Sequence, residues 1–191
     1  MQKSLGVVVL ASGEGVRFGG GKLLAPFHGK PLLAHTLLAL SPELFSKRVV
    51  VTRGAEIAVL AVAHGFHALL HPYAQLCDTI RLGTSWMQGV DGCLFCVGDQ
   101  PLINPKTLRR MVEAFDANPN QMIRAAAGER MGNPVLFPAA LFGELCALQG
   151  EQSGSAVIRA HRELVLPVQV EAERELYDID TQADYERLSF L

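Results

Sequence analysis

Apolar, β-rich runs alternate with segments of helical spacing along this 191-residue chain, and that alternation is the strongest constraint on its fold. The runs lie at 6–11, 48–52, 66–70, 93–97, 121–126 and 164–170. Between them fall helical segments at 31–40, 55–63, 78–88, 105–118 and 138–147, with 153–161 and 181–188 as further helices. Pro31, Pro105 and Pro138 each stand where a proline suits the first turn of a helix, because the N–H it lacks would have no partner there. Strands written as continuous apolar runs are buried on both faces. The pattern predicts one α/β domain over residues 1–191, a mostly parallel, Rossmann-like sheet with helices on both faces.

In such sheets ligands bind beyond the carboxyl ends of the strands. That rule singles out residues 12–22, 52–53, 71–79, 98–101 and the turn near 178–181, most of them rich in polar or charged groups. The first is the most informative. The run Leu5–Ala11 breaks into Ser12-Gly-Glu-Gly-Val-Arg-Phe-Gly-Gly-Gly-Lys22, a loop of five glycines with two cations, Arg17 and Lys22. Glycines let backbone N–H groups turn inward and approach a ligand closely, so a polyphosphate is the natural guest.

Composition excludes several other classes. A formal net charge of −2 offers no basic surplus for nucleic acid. No apolar stretch nears the roughly eighteen residues of a membrane span. Lys3, the apolar run and Ala11-Ser12-Gly13 imitate a signal peptide, but the run is short and leads into the glycine loop, so a buried strand and a cytoplasmic protein are expected. Cys93 and Cys96 have CxxC spacing within a strand, where positions i and i+3 face opposite sides; both are expected to pack in the core. His64, His67 and His71 lack ligand spacing and read as surface or satisfied core residues, whereas His28 flanks the cleft.

Three glycine-loop types compete. A Walker A loop needs a hydroxyl residue after its lysine, and Leu23 stands there. The dinucleotide fingerprint opens directly into a helix, yet Pro26, Gly29 and Pro31 interrupt the segment after the glycines, and the second strand ends in Thr52-Arg53 instead of an acid. Arg53 keeps an NADP reductase open as a minor alternative through the 2′-phosphate. The third type fits throughout. Residues 10–22 resemble the L-A-[AG]-G-x-G-x-R-[FM]-G-x-x-K signature of the MobA-like NTP transferases. Gly29-Lys-Pro-Leu-Leu33, Val97-Gly-Asp-Gln-Pro101, Gly132-Asn-Pro-Val-Leu-Phe-Pro138 and Asp178-Ile-Asp-Thr-Gln-Ala-Asp-Tyr185 resemble further segments of that family, in order and over essentially the whole chain.

The resemblance implies a nucleotide-diphospho-sugar transferase-like fold, nearest to the molybdenum cofactor cytidylyltransferase branch. It implies transfer of a nucleoside monophosphate from an NTP, CTP before GTP, to a small phosphorylated acceptor, molybdopterin foremost, with Mg²⁺ as cofactor. It admits a cofactor-receiving partner enzyme. The nucleotide would be held by Leu10, Ala11, Ser12, Gly13, Gly15, Arg17, Lys22 and Thr79, with Arg17 on the β/γ-phosphates and Lys22 near the α-phosphate. Asp99 leaves the end of a strand after a flexible glycine and is the expected metal ligand; with Arg17 and Lys22 it makes the catalytic set.

Asp178 and Asp180 lie on a short extended segment and are expected on opposite faces of it. The resemblance favours Asp180 as second metal ligand; the competing role is a cap on the helix from 181, with Asp184 in its first turn. Gln100 and Asn133 are the expected substrate residues. Two departures bear on specificity: Gln75-Leu-Cys-Asp-Thr-Ile80 replaces a serine-rich segment, and Asn133 stands in place of a histidine. A phosphosugar, phosphopolyol or phospho-acid acceptor therefore stays open, as does a non-catalytic nucleotide-binding module of the same fold.

Overall fold

The computed structural model describes residues 3–190. Seven strands form one sheet: β1 (Leu5–Ala11), β4 (Lys47–Thr52), β5 (His67–Leu70), β6 (Gly92–Val97), β7 (Met122–Ala127), β8 (Arg130–Pro138) and β9 (Val165–Gln169), in the order β5-β4-β1-β6-β8-β7-β9. A two-residue ribbon, β2 (Pro26–Phe27) and β3 (Lys30–Pro31), stands apart. Within the sheet only β8 runs against its neighbours β6 and β7, and every other pairing is parallel. The expected α/β architecture is the one observed.

The helices are α1 (Leu32–Ala39), α2 (Ala55–Ala63), α3 (Leu76–Trp86), α4 (Pro105–Ala117), α5 (Phe142–Cys146), α6 (Gly154–Ala160) and α7 (Gln182–Ser189). The two-residue period of β1 sends Val7 and Val9 to one face and Val8 to the other, so the core is double. On the first face Leu33 and Leu37 of α1, Ala61 of α2, Met111 and Phe115 of α4 and Leu188 of α7 pack together. On the second, Cys77 and Ile80 of α3, Leu145 of α5 and Val157 of α6 do so. Cys96 belongs to the first core and Cys93 to the second, so the two thiols lie on opposite faces of the sheet, and burial pushes both up.

One strand departs from the expected pattern. β8 carries Gly132, Pro134 and Pro138, residues that argue against a strand. It is accommodated because Pro134 lies in an irregularity: on β7 the pairing steps from Arg124 to Ala126, while on β8 it steps from Val135 to Met131. Residues 132–134 therefore bulge out of the ladder, and pairing with β6 begins only at Val135. The helix expected from Pro138 starts instead as a single 3₁₀ turn, Ala139–Leu141, before α5. No helix among the described residues is long and apolar enough to cross a membrane.

Candidate active site

The loop after β1 folds back through two 3₁₀ turns. Val16–Phe18 lies between Gly15 (φ 63°) and Gly19 (φ 98°), and Lys22–Leu24 is entered from Gly21 (φ 64°). These left-handed conformations are strained for any residue with a Cβ. At Gly15 space is short as well, since a Cβ would come within 3.1 Å of Lys22 Cβ. The close approach turns the Lys22 stem inward, leaving the residue only 9% exposed.

Lys22 Nζ lies 2.6 Å from Asp99 Oδ2 and 3.4 Å from Asp180 Oδ1, and Arg17 Nη2 lies 3.1 Å from Asp180 Oδ2. Loops after β1 and β6 and the turn before α7 thus meet around one ammonium. Backbone bonds tie them together: Gly98 N–H donates to the Leu10 carbonyl and Ile179 N–H to the Asp99 carbonyl, each at 3.0 Å. From α1, Thr36 Oγ1 donates to the Gly98 and Gln100 carbonyls. Asp180 does not cap α7; Thr181 does, in a reciprocal capping box with Asp184.

The expectation that Asp178 and Asp180 point to opposite faces is corrected here. Residues two apart in extended backbone share a face, and Asp178 accordingly lies in the electrostatic neighbourhood of Asp99 and Asp180. Although open to solvent on one side, its carboxyl is raised to about 6, first by desolvation and then by repulsion from Asp99 and Asp180. Among the described residues no group of three or more His, Cys, Asp or Glu side chains could hold a metal ion. Asp99 and Asp180, both touching one nitrogen, still fit a cation such as Mg²⁺, which takes one or two carboxylates and completes its shell with phosphate oxygens and water.

Beside this cluster opens a cavity of about 530 Å³, lined by Ala11, Ser12, Gly13, Gly21, Lys22, Arg53 and His71 among others. Its volume lies in the range of small-molecule sites. His71 is buried at its wall. The Tyr73 N–H donates to His71 Nδ1 at 3.2 Å, so the ring proton sits on Nε2 and is donated to Ser12 Oγ at 2.9 Å. Ser12 in turn donates to the Val51 carbonyl at 3.2 Å. Burial first and the Arg53 charge second hold the His71 pKa down, against a smaller opposite pull from Asp78. His71 had no place in the expected site. The available signal was its position, one residue past the carboxyl end of β5.

A second cavity, about 260 Å³, lies under the other core face and is lined by Leu10, Ile80, Phe95, Arg124, Asn133 and Ser155, among others. Of the expected site residues, Ala11, Ser12, Gly13 and Lys22 border the first cavity, and the glycine loop also carries Gly15 and Arg17. Leu10 and Asn133 border the second. Thr79 borders neither; it is fully buried with its hydroxyl lacking a hydrogen-bond partner. Gln100 is also buried, and its amide nitrogen donates to the Asn133 and Glu175 carbonyls, so the side chain braces the bulge of β8. His28 sits exposed in the β2–β3 turn, outside the lining of both cavities.

The chain is 38% identical over 119 residues to the bifunctional protein GlmU of Rhodospirillum rubrum, covering 56% of itself but only 25% of that protein. It thus spans about a quarter of that relative's length. It is 28% identical over 151 residues to a probable molybdenum cofactor guanylyltransferase of Pyrococcus horikoshii, covering 75% and 72% of the two chains. The structure of Rv0371c from Mycobacterium tuberculosis superposes with a TM-score of 0.85 at 27% identity over 99% of both chains, and a manganese complex of that protein does so at 0.79 and 26%. The sequence model of the MobA-like NTP transferase domain matches residues 7–165, more than half of the chain, which therefore belongs to that family.

Proposed function

We propose that this protein transfers a nucleoside monophosphate from an NTP to a small phosphorylated acceptor, releasing pyrophosphate, with CTP as donor in preference to GTP and molybdopterin as the foremost acceptor. The coarser statement, that the chain is a nucleotidyltransferase, follows from its family. The observation that carries the proposal is the convergence of Lys22, Arg17, Asp99 and Asp180 beside the first cavity, at the carboxyl edge of the sheet. CTP and the cytidylyl branch rest on sequence resemblance, and GTP is the competing donor because relatives carry the guanylyltransferase name.

Transfer is an in-line displacement: an acceptor oxygen forms a bond to the α-phosphorus as the bond to the pyrophosphate oxygen breaks. Such chemistry is limited by positioning and charge neutralisation. A divalent cation, Mg²⁺ in our reading, would supply charge neutralisation on the triphosphate when held by Asp99 and Asp180. The N–H groups of the glycine loop that are not donated within it, as those of Phe18, Gly19 and Gly20 are, would cradle the phosphate chain. Arg17, exposed and held among the described residues by Asp180, would swing onto the β/γ-phosphates. Lys22, already buried, would turn from the carboxylates to the α-phosphate. The bulge carrying Asn133 faces the acceptor side.

The test is a thermal-shift screen of CTP, GTP, ATP and UTP with Mg²⁺, followed by pyrophosphate release with each stabilising nucleotide and candidate acceptor. Stabilisation by CTP alone supports the donor assignment, and by GTP alone overturns it. Nucleotide binding without pyrophosphate release for any acceptor, phosphosugars and phosphopolyols included, would instead favour a non-catalytic module.

A further inference from the structure

The second cavity holds a cation with no counter-charge. Arg124 projects into it from β7, half-buried, and its Nε donates to the Gly132 carbonyl at 3.0 Å. That bond fixes the guanidinium plane. Among the described residues, neither Nη nitrogen has a hydrogen-bond partner and no carboxylate lies within ion-pair distance, and the lining contains no Asp or Glu. The side-chain amide of Asn133, on the bulge of β8, also faces this cavity without a partner among the described residues. The other walls are mostly apolar, with Leu76 and Ile80 from α3, Phe95 from β6 and Ile158 from α6, while Ser153 and Ser155 add hydroxyls at the start of α6.

The guanidinium is half-buried and its two Nη nitrogens are still open to the cavity, so an entering anion can bind it with little rearrangement. Burial lowers the Arg124 pKa, the direction expected for a cation still missing its partner. The free edge of a planar guanidinium is shaped for two parallel hydrogen bonds to one oxyanion. A cavity of about 260 Å³ with aromatic and aliphatic walls holds a ring-sized body. Its floor includes Leu10, whose carbonyl anchors the Gly98-Asp99 turn, so it opens at the same strand ends as the catalytic cluster.

We infer that this cavity is the acceptor subsite and that Arg124 is its specificity-determining residue, gripping a single oxyanion on a ring-bearing acceptor while Asn133 contacts the ring's polar edge. The inference rests on the transferase reading and adds the residue and the chemical class of the acceptor.

The probes are phenyl phosphate, benzoate and neutral benzyl alcohol, titrated calorimetrically into the full chain. The unsubstituted protein is expected to bind at least one of the two anions and to prefer it to benzyl alcohol. Preference for phenyl phosphate assigns a phosphomonoester, and preference for benzoate a carboxylate. Arg124→Gln is expected to weaken anion binding by about tenfold or more, with Arg124→Lys between. Ile158→Phe, which adds bulk to the cavity from the α6 wall and leaves Arg124 in place, is expected to abolish binding and decides the matter should Arg124→Gln fail to fold. Arg17→Ala separates this site from the phosphate loop and is expected to leave probe binding unchanged. Equal affinity of the unsubstituted protein and Arg124→Gln, indifference to Ile158→Phe, or loss of binding on Arg17→Ala alone would overturn the assignment. Failure of the transferase reading is distinguishable, because it shows as no stabilisation by any NTP with Mg²⁺.

Discussion

His71 donates its Nε2 proton to Ser12 Oγ at 2.9 Å because the Tyr73 N–H already occupies Nδ1. The loop after β5 is thereby tied to the first residue of the glycine loop. Protonating Nδ1 would set two donors against each other, in keeping with a pKa lowered by burial first and by Arg53 second, with Asp78 pulling the other way. Proton binding sets the sign. Below the unfolded value of about 6.5 the unfolded chain takes up a proton that the folded chain resists, so stability falls as pH drops from there through the folded pKa. His71→Gln keeps a donor toward Ser12 and removes the titration. Its melting temperature is expected to fall less between pH 7.5 and pH 5 than that of the unsubstituted protein, and parallel pH profiles would contradict this.

At the proposed cation site, Lys22 and a divalent cation would compete for the same oxygens. In the absence of ligand the ammonium neutralises Asp99 and Asp180. Lys22→Met is therefore expected to bind Mn²⁺ more tightly than the unsubstituted protein when no nucleotide is present, measured by calorimetry or electron paramagnetic resonance. It is also expected to lose transfer activity, because the same ammonium is needed at the α-phosphate. Asp99→Asn is expected to weaken Mn²⁺ binding and lower kcat by about a hundredfold to a thousandfold, with a smaller effect on nucleotide affinity. Weaker Mn²⁺ binding by Lys22→Met would refute the competition.

The legible parts of the chain are those governed by local chemistry. The apolar runs ending at Ala11, Thr52 and Val97 announce parallel strands because burial on both faces leaves no polar phase to obscure them. Arg17, Lys22, Asp99 and Asp180 come together as their motifs suggest, since Asp99 follows the end of β6 and Asp180 precedes α7 closely, while Arg17 and Lys22 share one glycine loop. Long-range geometry was not legible. β8 hid behind its prolines because only the register against β7 reveals the bulge that excuses them. Gln100 reads as a substrate contact from its motif, yet the Glu175 carbonyl, far along the chain, takes its amide. Arg124 and His71 belong to no motif of spacing; a cavity or a tautomer makes each visible.

Tyr185 clasps the glycine loop to α7. Its ring meets Phe18 edge-on at 5.6 Å and Phe27 at 6.0 Å, and its hydroxyl donates to the Pro26 carbonyl. Phe18 comes directly after Arg17, and α7 begins just after Asp180, so the clasp and the Arg17–Asp180 pair hold the same two segments. Each aromatic contact is worth about 0.5–1.5 kcal/mol beyond area burial. Tyr185→Ala is expected to cost about 1–3 kcal/mol in urea unfolding and to weaken joint binding of nucleotide and Mg²⁺. Tyr185→Phe, which keeps the ring, is expected to retain most of both. A Tyr185→Ala protein with unchanged ligand affinity would show that the ion pair alone positions the loop.

Gly83 lets α3 lie close against the sheet. A Cβ there would stand 2.6 Å from Val8 Cγ1, 2.9 Å from Val8 Cγ2 and 3.3 Å from Val51 Cγ2, all on stiff β-branched side chains in the second core. Alanine is the better helix former by about 1 kcal/mol, so propensity alone predicts that Gly83→Ala stabilises. Overpacking opposes this with a cost of about 1–3 kcal/mol and is expected to win, because strand β1 is hydrogen-bonded on both sides and cannot retreat. Val8→Ala leaves a cavity and is destabilising by itself. Combined with Gly83→Ala, however, it removes the clash, so the double variant is expected to be more stable than the sum of the two single losses predicts. Urea denaturation of the four proteins measures this coupling. Strict additivity would mean that α3 shifts away from the sheet to admit the methyl group, and the packing account of Gly83 would then fail.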